Sequence, residues 1–235
     1  MLGTAKAGIL KPDAGRPIPG LLAAYAFKEG SGTSTADATG NGNTGTLGTN
    51  SGWVSGKWGT GGVTITSGTT TTITFGSGPS VSPPYNGISW CVWAKLPTSG
   101  WPDYGCIFGR LLGSGSTRSG LATVSAGSFF YVFRWRDDLQ FGNAGALPND
   151  GAWHHYAMVD GNTTWAFYMD GVSIVSGTRN LSPFTPNTSW EANPWTLGCL
   201  PTDFVSLPGT SWSDLRLFQG QLSINQVAAY MNAPV

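Results

Sequence analysis

DGAWHHYAMVDGNTTWAFYMDGVSI, residues 150–174, decides the fold. Two runs rich in aromatic and apolar residues, 153–159 and 164–169, flank Asp160-Gly161-Asn162. Glycine and asparagine tolerate the positive φ of a tight reversal, so this tripeptide reads as a turn. Asp170-Gly171 is the two-residue signal of a hairpin whose twist suits its strands. The pattern predicts three short strands joined by two turns. Successive strand residues point to opposite faces, which puts Trp153, His155, Ala157 and Val159 on one side and His154, Tyr156 and Met158 on the other. Large side chains on both faces place these strands inside a sandwich.

Outward from this meander, the chain alternates short apolar runs with glycine-rich or proline-rich connections. Residues 21–27, 69–75, 88–96, 106–110, 195–199 and 211–218 read as strands, and 128–135 with 138–141 as a hairpin around Arg136-Asp137. Residues 30–62 are rich in glycine, threonine, serine and asparagine, and read as a long loop region pinned to the core by Trp53 and Trp58. Residues 223–232 are the one helix, because Ser223 and Gln226 have capping-box spacing and Ile224, Val227, Tyr230 and Met231 share a face. Residues 1–20 hold Pro12, Pro17 and Pro19 with few large apolar groups, so they read as an extended arm.

Several segments also resemble one family, in its order. Trp153-His154-His155-Tyr156-Ala157 and Tyr168-Met169-Asp170-Gly171 are similar to the central strands of laminin-G-like, concanavalin A-like jelly-roll domains. Ala24-Tyr25-Ala26-Phe27 with Glu29-Gly30-Ser31-Gly32 resembles that family's opening strand and turn. Asp37-Ala38-Thr39-Gly40-Asn41-Gly42-Asn43 resembles its Asn/Gly loop, and residues 90–95 its central strand. Ser213-Asp214-Leu215-Arg216-Leu217-Phe218 resembles its closing strand, with Leu222-Ser223 opening its final helix. No one of these motifs is specific; their order is. The resemblance implies an all-β fold: a two-sheet antiparallel jelly-roll sandwich with one short C-terminal helix, covering residues 21–235 behind the arm 1–20.

Composition bounds the function. The formal net charge is zero with no basic block, so nucleic acid finds no electrostatic footprint. No stretch approaches the ~20 apolar residues of a membrane-spanning helix. Cys91, Cys106 and Cys199 cannot all pair within one chain and read as free thiols. The opening residues lack a charged start followed by an apolar run, so a signal peptide is not expected.

Three chemistries are candidates. Glycoside hydrolysis needs two carboxylates ~5–5.5 Å apart, and enzymes of this fold class carry them at even spacing on one strand. Only Glu29 and Glu191 are glutamates, both in loops, and no strand carries two acids at even spacing, so no catalytic residue is expected. His154 and His155 fall on opposite strand faces and read as packing and hydrogen-bonding residues. Calcium is the second candidate. The loop can offer Asp37 and Asn43, and the family resemblance adds Glu29 and Asp214 to a structural Ca²⁺ site of oxygen ligands. Ser213 stands where many relatives carry another acid, which weakens the set. The third is carbohydrate. Sugar C–H faces stack on indole rings, and Trp101, Tyr104, Trp135 and Trp190 are the loop-borne platforms, with Asp103, Asn143 and Asn193 as polar neighbours.

The expectation is a non-catalytic surface-displayed module on a virus particle, a decoration or tail protein. Its arm 1–20 would dock on coat or tail subunits, with glycan engagement and homo-oligomerisation as further expectations. The alternative is a carbohydrate-binding, lectin-like domain of a secreted extracellular protein.

Overall fold

The computed structural model describes residues 20–59, 61–68, 71–75, 87–98, 102, 105–111, 118–124, 129–133, 140–141, 148, 150–161, 163–178, 194–198 and 205–235. The first strands in chain order are β1 (Gly20–Tyr25), β2 (Ser34–Thr35), β3 (Gly45–Leu47), β4 (Ser51–Ser55), β5 (Gly61–Ile65) and β6 (Ile73–Phe75). Next come β7 (Ile88–Lys95), β8 (Cys106–Leu111), β9 (Arg118–Val124), β10 (Phe129–Phe133) and β11 (Gln140–Phe141). The meander is β12 (Trp153–Asp160), β13 (Thr164–Met169) and β14 (Val172–Thr178), followed by β15 (Trp195–Leu197), β16 (Ser211–Gln219) and helix α1 (Ile224–Met231).

These strands form two antiparallel sheets. One runs β14-β13-β12-β7-β16-β5-β4, with β1 also paired to β16; the other runs β11-β10-β9-β8-β15-β6-β3-β2. The closing strand thus lies in the middle of the first sheet. Its outer edge is shared, Ser211 and Trp212 pairing with β5 and the stretch from Leu215 to Gln219 with β1. This is the all-β two-sheet sandwich expected from the meander.

The alternation read from the sequence holds. Tyr156 and Met158 enter the core between the sheets with Trp90, Val92, Phe167, Trp195, Trp212 and Leu217. His155, Ala157 and Val159 face outward, where Val227 of α1 and the preceding Leu222 cover part of the sheet over Cys91, Ala157 and Phe218. The capping box forms in full, Ser223 Oγ accepting from the Gln226 N–H and Gln226 Oε1 from the Ser223 N–H. Ile224 departs from the expected apolar face and is 45% exposed. Cys91 and Cys106 are buried thiols in no disulfide, and Cys199 lies outside the described residues.

Residues 30–62 are more ordered than a loop. β4 and β5 form a hairpin that extends the first sheet beyond β16, while β2 and β3 finish the second. Ser51, Gly52, Ser55, Gly61 and Gly62 carry no apolar alternation, so the strands rest on backbone pairing that sequence periodicity does not show. Of the run 69–75 expected as a strand, the described residues 71–75 place Ile73–Phe75 in β6, and β9 (Arg118–Val124) lies where the sequence reading named no strand. The Arg136-Asp137 turn and residues 1–19 of the arm expected over 1–20 lie outside the described residues, and Gly20 already opens β1.

Candidate functional site

At the open side of the β4–β5 hairpin the chain builds a pocket. β1 ends at Tyr25, and Phe27 then takes φ +53°, turning the backbone while its ring stays buried 6.1 Å from Tyr25 and 6.4 Å from Phe75. Gly61 lies flat against this kink: a Cβ there would stand 2.0 Å from the Phe27 carbonyl oxygen, a contact only glycine permits. The resulting cavity of about 390 Å³ is lined by Phe27, Lys28, Gly30, Trp53, Val54, Gly59 and Gly61. That volume lies within the ~300–1,000 Å³ of small-molecule sites. Trp53 packs against the core, and its indole N–H donates to the Gly32 carbonyl at 2.8 Å, which fixes the ring plane. Lys28 Nζ donates to the Val235 carbonyl at 2.7 Å. Among the described residues the lining therefore offers an indole, an ammonium and backbone amides, and no carboxylate.

The calcium candidates occupy different roles. Asp37 accepts five hydrogen bonds, from the N–H groups of Ala24, Thr39 and Asn43, the Thr39 hydroxyl and the Asn43 amide. Asn41 and Asn43 donate to the Leu22 carbonyl, so the Asn/Gly loop satisfies the edge of β1. These hydrogen bonds outweigh partial burial and hold the Asp37 carboxyl below its ordinary value. Glu29 accepts from the Ala36 N–H and the Thr35 hydroxyl. Asp214 is buried on β16 against Arg216. Donors converge on Asp37 where a cation would need free oxygens, and a guanidinium already holds Asp214, so the arrangement does not fit Ca²⁺. Among the described residues no group of three or more His, Cys, Asp or Glu side chains is placed to hold a metal ion.

The expected sugar platforms, Trp101, Tyr104, Trp135 and Trp190, lie outside the described residues, as do Asp103, Asn143 and Asn193. Sequence reasoning missed Lys28 and read Trp53 only as a pin to the core. The signal available was weak: one tryptophan in a polar loop.

His154 stands on the inner face at the start of β12, with Nδ1 2.6 Å from Asp170 and Nε2 3.2 Å from Asp150. Partial burial opposes its charged form, but the bonds to Asp170 and Asp150 outweigh it and raise the imidazole above its ordinary value. His155 behaves oppositely: burial, with Arg216 nearby, lowers it to about 4, against a contribution from Asp170, and keeps it neutral. Burial also pushes the Cys91 thiol up to about 12, so it offers no thiolate.

Residues 66–228, more than half the chain, match the family model Laminin_G_3, described as the Concanavalin A-like lectin/glucanases superfamily. Domain 4 of AbnA, a GH43 extracellular arabinanase from Geobacillus stearothermophilus solved with arabinotriose, superposes with TM-score 0.67 at 21% identity, over 90% of this chain and 98% of that one. The binding domain of Paraclostridial Mosquitocidal Protein 1 gives 0.64 at 12%, over 91% of this chain and 52% of that one. Trypanosoma rangeli sialidase in complex with sialic acid gives 0.64 at 12%, over 89% of this chain and 32% of that one. The chain thus spans about half of the second and a third of the third. No curated protein matches it in sequence.

Proposed function

This chain belongs to the concanavalin A-like lectin/glucanase superfamily, and from that premise we propose that it is a non-catalytic carbohydrate-binding module. The observation that carries the reading is the pocket beside Trp53. An indole wall suits the C–H face of a sugar ring, and Lys28 with the glycine backbone can meet its hydroxyls. Hydrolysis of the usual kind needs an acid and a second carboxylate beside the scissile bond, and the described residues of the lining supply neither. The likeness to an arabinanase domain solved with arabinotriose supports the same reading, since that likeness spans nearly all of both chains.

The test is calorimetric titration of arabinotriose and a panel of neutral oligosaccharides into the protein and its Lys28→Ala and Trp53→Leu variants. Saturable binding that weakens in both variants, at an unchanged melting temperature for Lys28→Ala, is the expected result. Binding indifferent to both substitutions would sink the pocket. Release of reducing sugar that Glu191→Gln abolishes would sink the non-catalytic part.

A finer reading rests on the arm alone: its prolines and glycines suit an extended segment lying on a coat or tail subunit, with the sandwich displayed on a virion. Deleting residues 1–20 should then abolish particle attachment, and attachment surviving the deletion returns the chain to the secreted alternative.

A further inference from the structure

The outer face of the first sheet carries a second feature, beside the part that the helix covers. Between β12 and β7, Trp153 stands opposite Lys95 and His155 opposite Trp93; between β16 and β7, Ser211 stands opposite Lys95 and Ser213 opposite Trp93. Residues opposite one another in a ladder share a face, so these side chains form one patch. The tip of the β4–β5 hairpin folds onto it. Lys57 Nζ lies 4.4 Å from the Trp93 ring centroid, and Trp58 meets Trp93 edge-on at 6.0 Å. Lys95 Nζ lies 5.8 Å from the Trp153 ring centroid. Two ammonium–indole pairs therefore stand side by side.

Their charge is unspent. Among the described residues, neither lysine has a carboxylate partner. The described acids at this end of the sheet are engaged elsewhere, Asp150 and Asp170 by His154 and Asp214 by Arg216. The patch is also short of hydrogen bonds, since Trp93 Nε1 and His155 Nδ1 are buried and carry none. His155 is neutral, so the positive charge belongs to the lysines. Lys57 lies close over Trp93, whereas the wider spacing at half-exposed Trp153 leaves more of that ring face open.

We infer that this patch of Lys57, Lys95, Trp93 and Trp153 is a second binding site, for a carboxylate-bearing saccharide. The two ammoniums meet the carboxylate, and Trp153 stacks on the ring that bears it. Buried Trp93 is the floor beneath Lys57, and the ligand meets the site through the two lysines and Trp153. The inference rests on the carbohydrate reading above but uses none of the pocket residues. An ammonium–carboxylate contact beside an indole gives preference over the uncharged sugar that falls with salt, as exposed charge pairs do.

The experiment compares matched acidic and neutral ligands: oligogalacturonate against its methyl ester, and sialyllactose against lactose. Each is titrated into wild type, Lys28→Ala, and the double variant Lys57→Ala/Lys95→Ala, with melting temperatures as the folding control. The expected result is a preference of about tenfold or more for the acid of at least one pair, lost in the double variant and kept in Lys28→Ala. The pair that shows it tells a uronic from a sialic source. Equal affinity for acid and ester, or a preference that survives the double substitution, overturns the site. Neutral sugars still binding through Lys28 in that case leave the pocket standing. Failure of every saccharide to bind overturns both.

Discussion

Asp214 and Arg216, separated by one residue on β16, are both about 5% exposed and form an ion pair at 3.1 Å. A bulge makes this possible. Regular alternation from buried Trp212 would turn Asp214 into the core, but the register shifts between Ser213 and Arg216 and Asp214 takes φ +53°. The extra residue lets Leu215 and Leu217 enter the core while Asp214 and Arg216 stay together outside it. Arg216 also donates to the carbonyls of Tyr230 and Ala233, and Asp214 accepts from the Val235 N–H, so the pair ties the segment after α1 to the sheet.

Removing one partner leaves the other buried and uncompensated. Arg216→Ala should therefore cost about 3–5 kcal/mol, and Asp214→Asn combined with Arg216→Met should recover much of it. Urea unfolding of the three proteins checks this; equal stability of Arg216→Ala and wild type would show that the pair contributes nothing net.

Asp37 should matter for stability without calcium. Asp37→Ala removes five hydrogen bonds to one carboxylate and should cost on the order of 2 kcal/mol, partly relieved by water at this half-exposed edge. A chelator should leave the melting temperature unchanged. A melt that drops with chelator and recovers with Ca²⁺ would show that a cation shares the loop.

His154 gives stability a pH dependence. Its folded value lies above the ordinary 6.5, so the protonated imidazole between Asp150 and Asp170 contributes fully below about that pH. The contribution is lost as pH rises through the raised folded value. The melting temperature should fall across that range in wild type and stay flatter in His154→Gln, as a thermal series from pH 5 to 9 would reveal.

Gly61→Ala should damage the pocket and the fold together. The new methyl would meet the Phe27 and Ala26 carbonyls, which are backbone and cannot rotate away, at a cost of roughly 1–3 kcal/mol. Differential scanning calorimetry gives the cost, and titration with the neutral panel should show weakened binding.

The strands of the meander and the helix were legible because their signals are local. Side-chain alternation in residues 153–159, a two-residue turn at Asp170-Gly171 and a capping box at Ser223 each act within a few positions. Together with the ordered family motifs they determined the sandwich and its final helix. The β4–β5 hairpin was not legible, since its serines and glycines become a strand only against β16, some 150 positions away in the chain.

The sites were decided in the tertiary structure for the same reason. An oxygen-rich loop such as residues 37–43 reads alike whether a cation or a ring of N–H donors meets it, and only the neighbouring edge of β1 set the donors there. Lys28 joins Trp53, and Lys57 joins Trp93, through sheet register and a hairpin folded onto the sheet. Sequence carries local propensity and pattern. Which distant side chains share a pocket or a face is settled by backbone pairing, which no single stretch encodes.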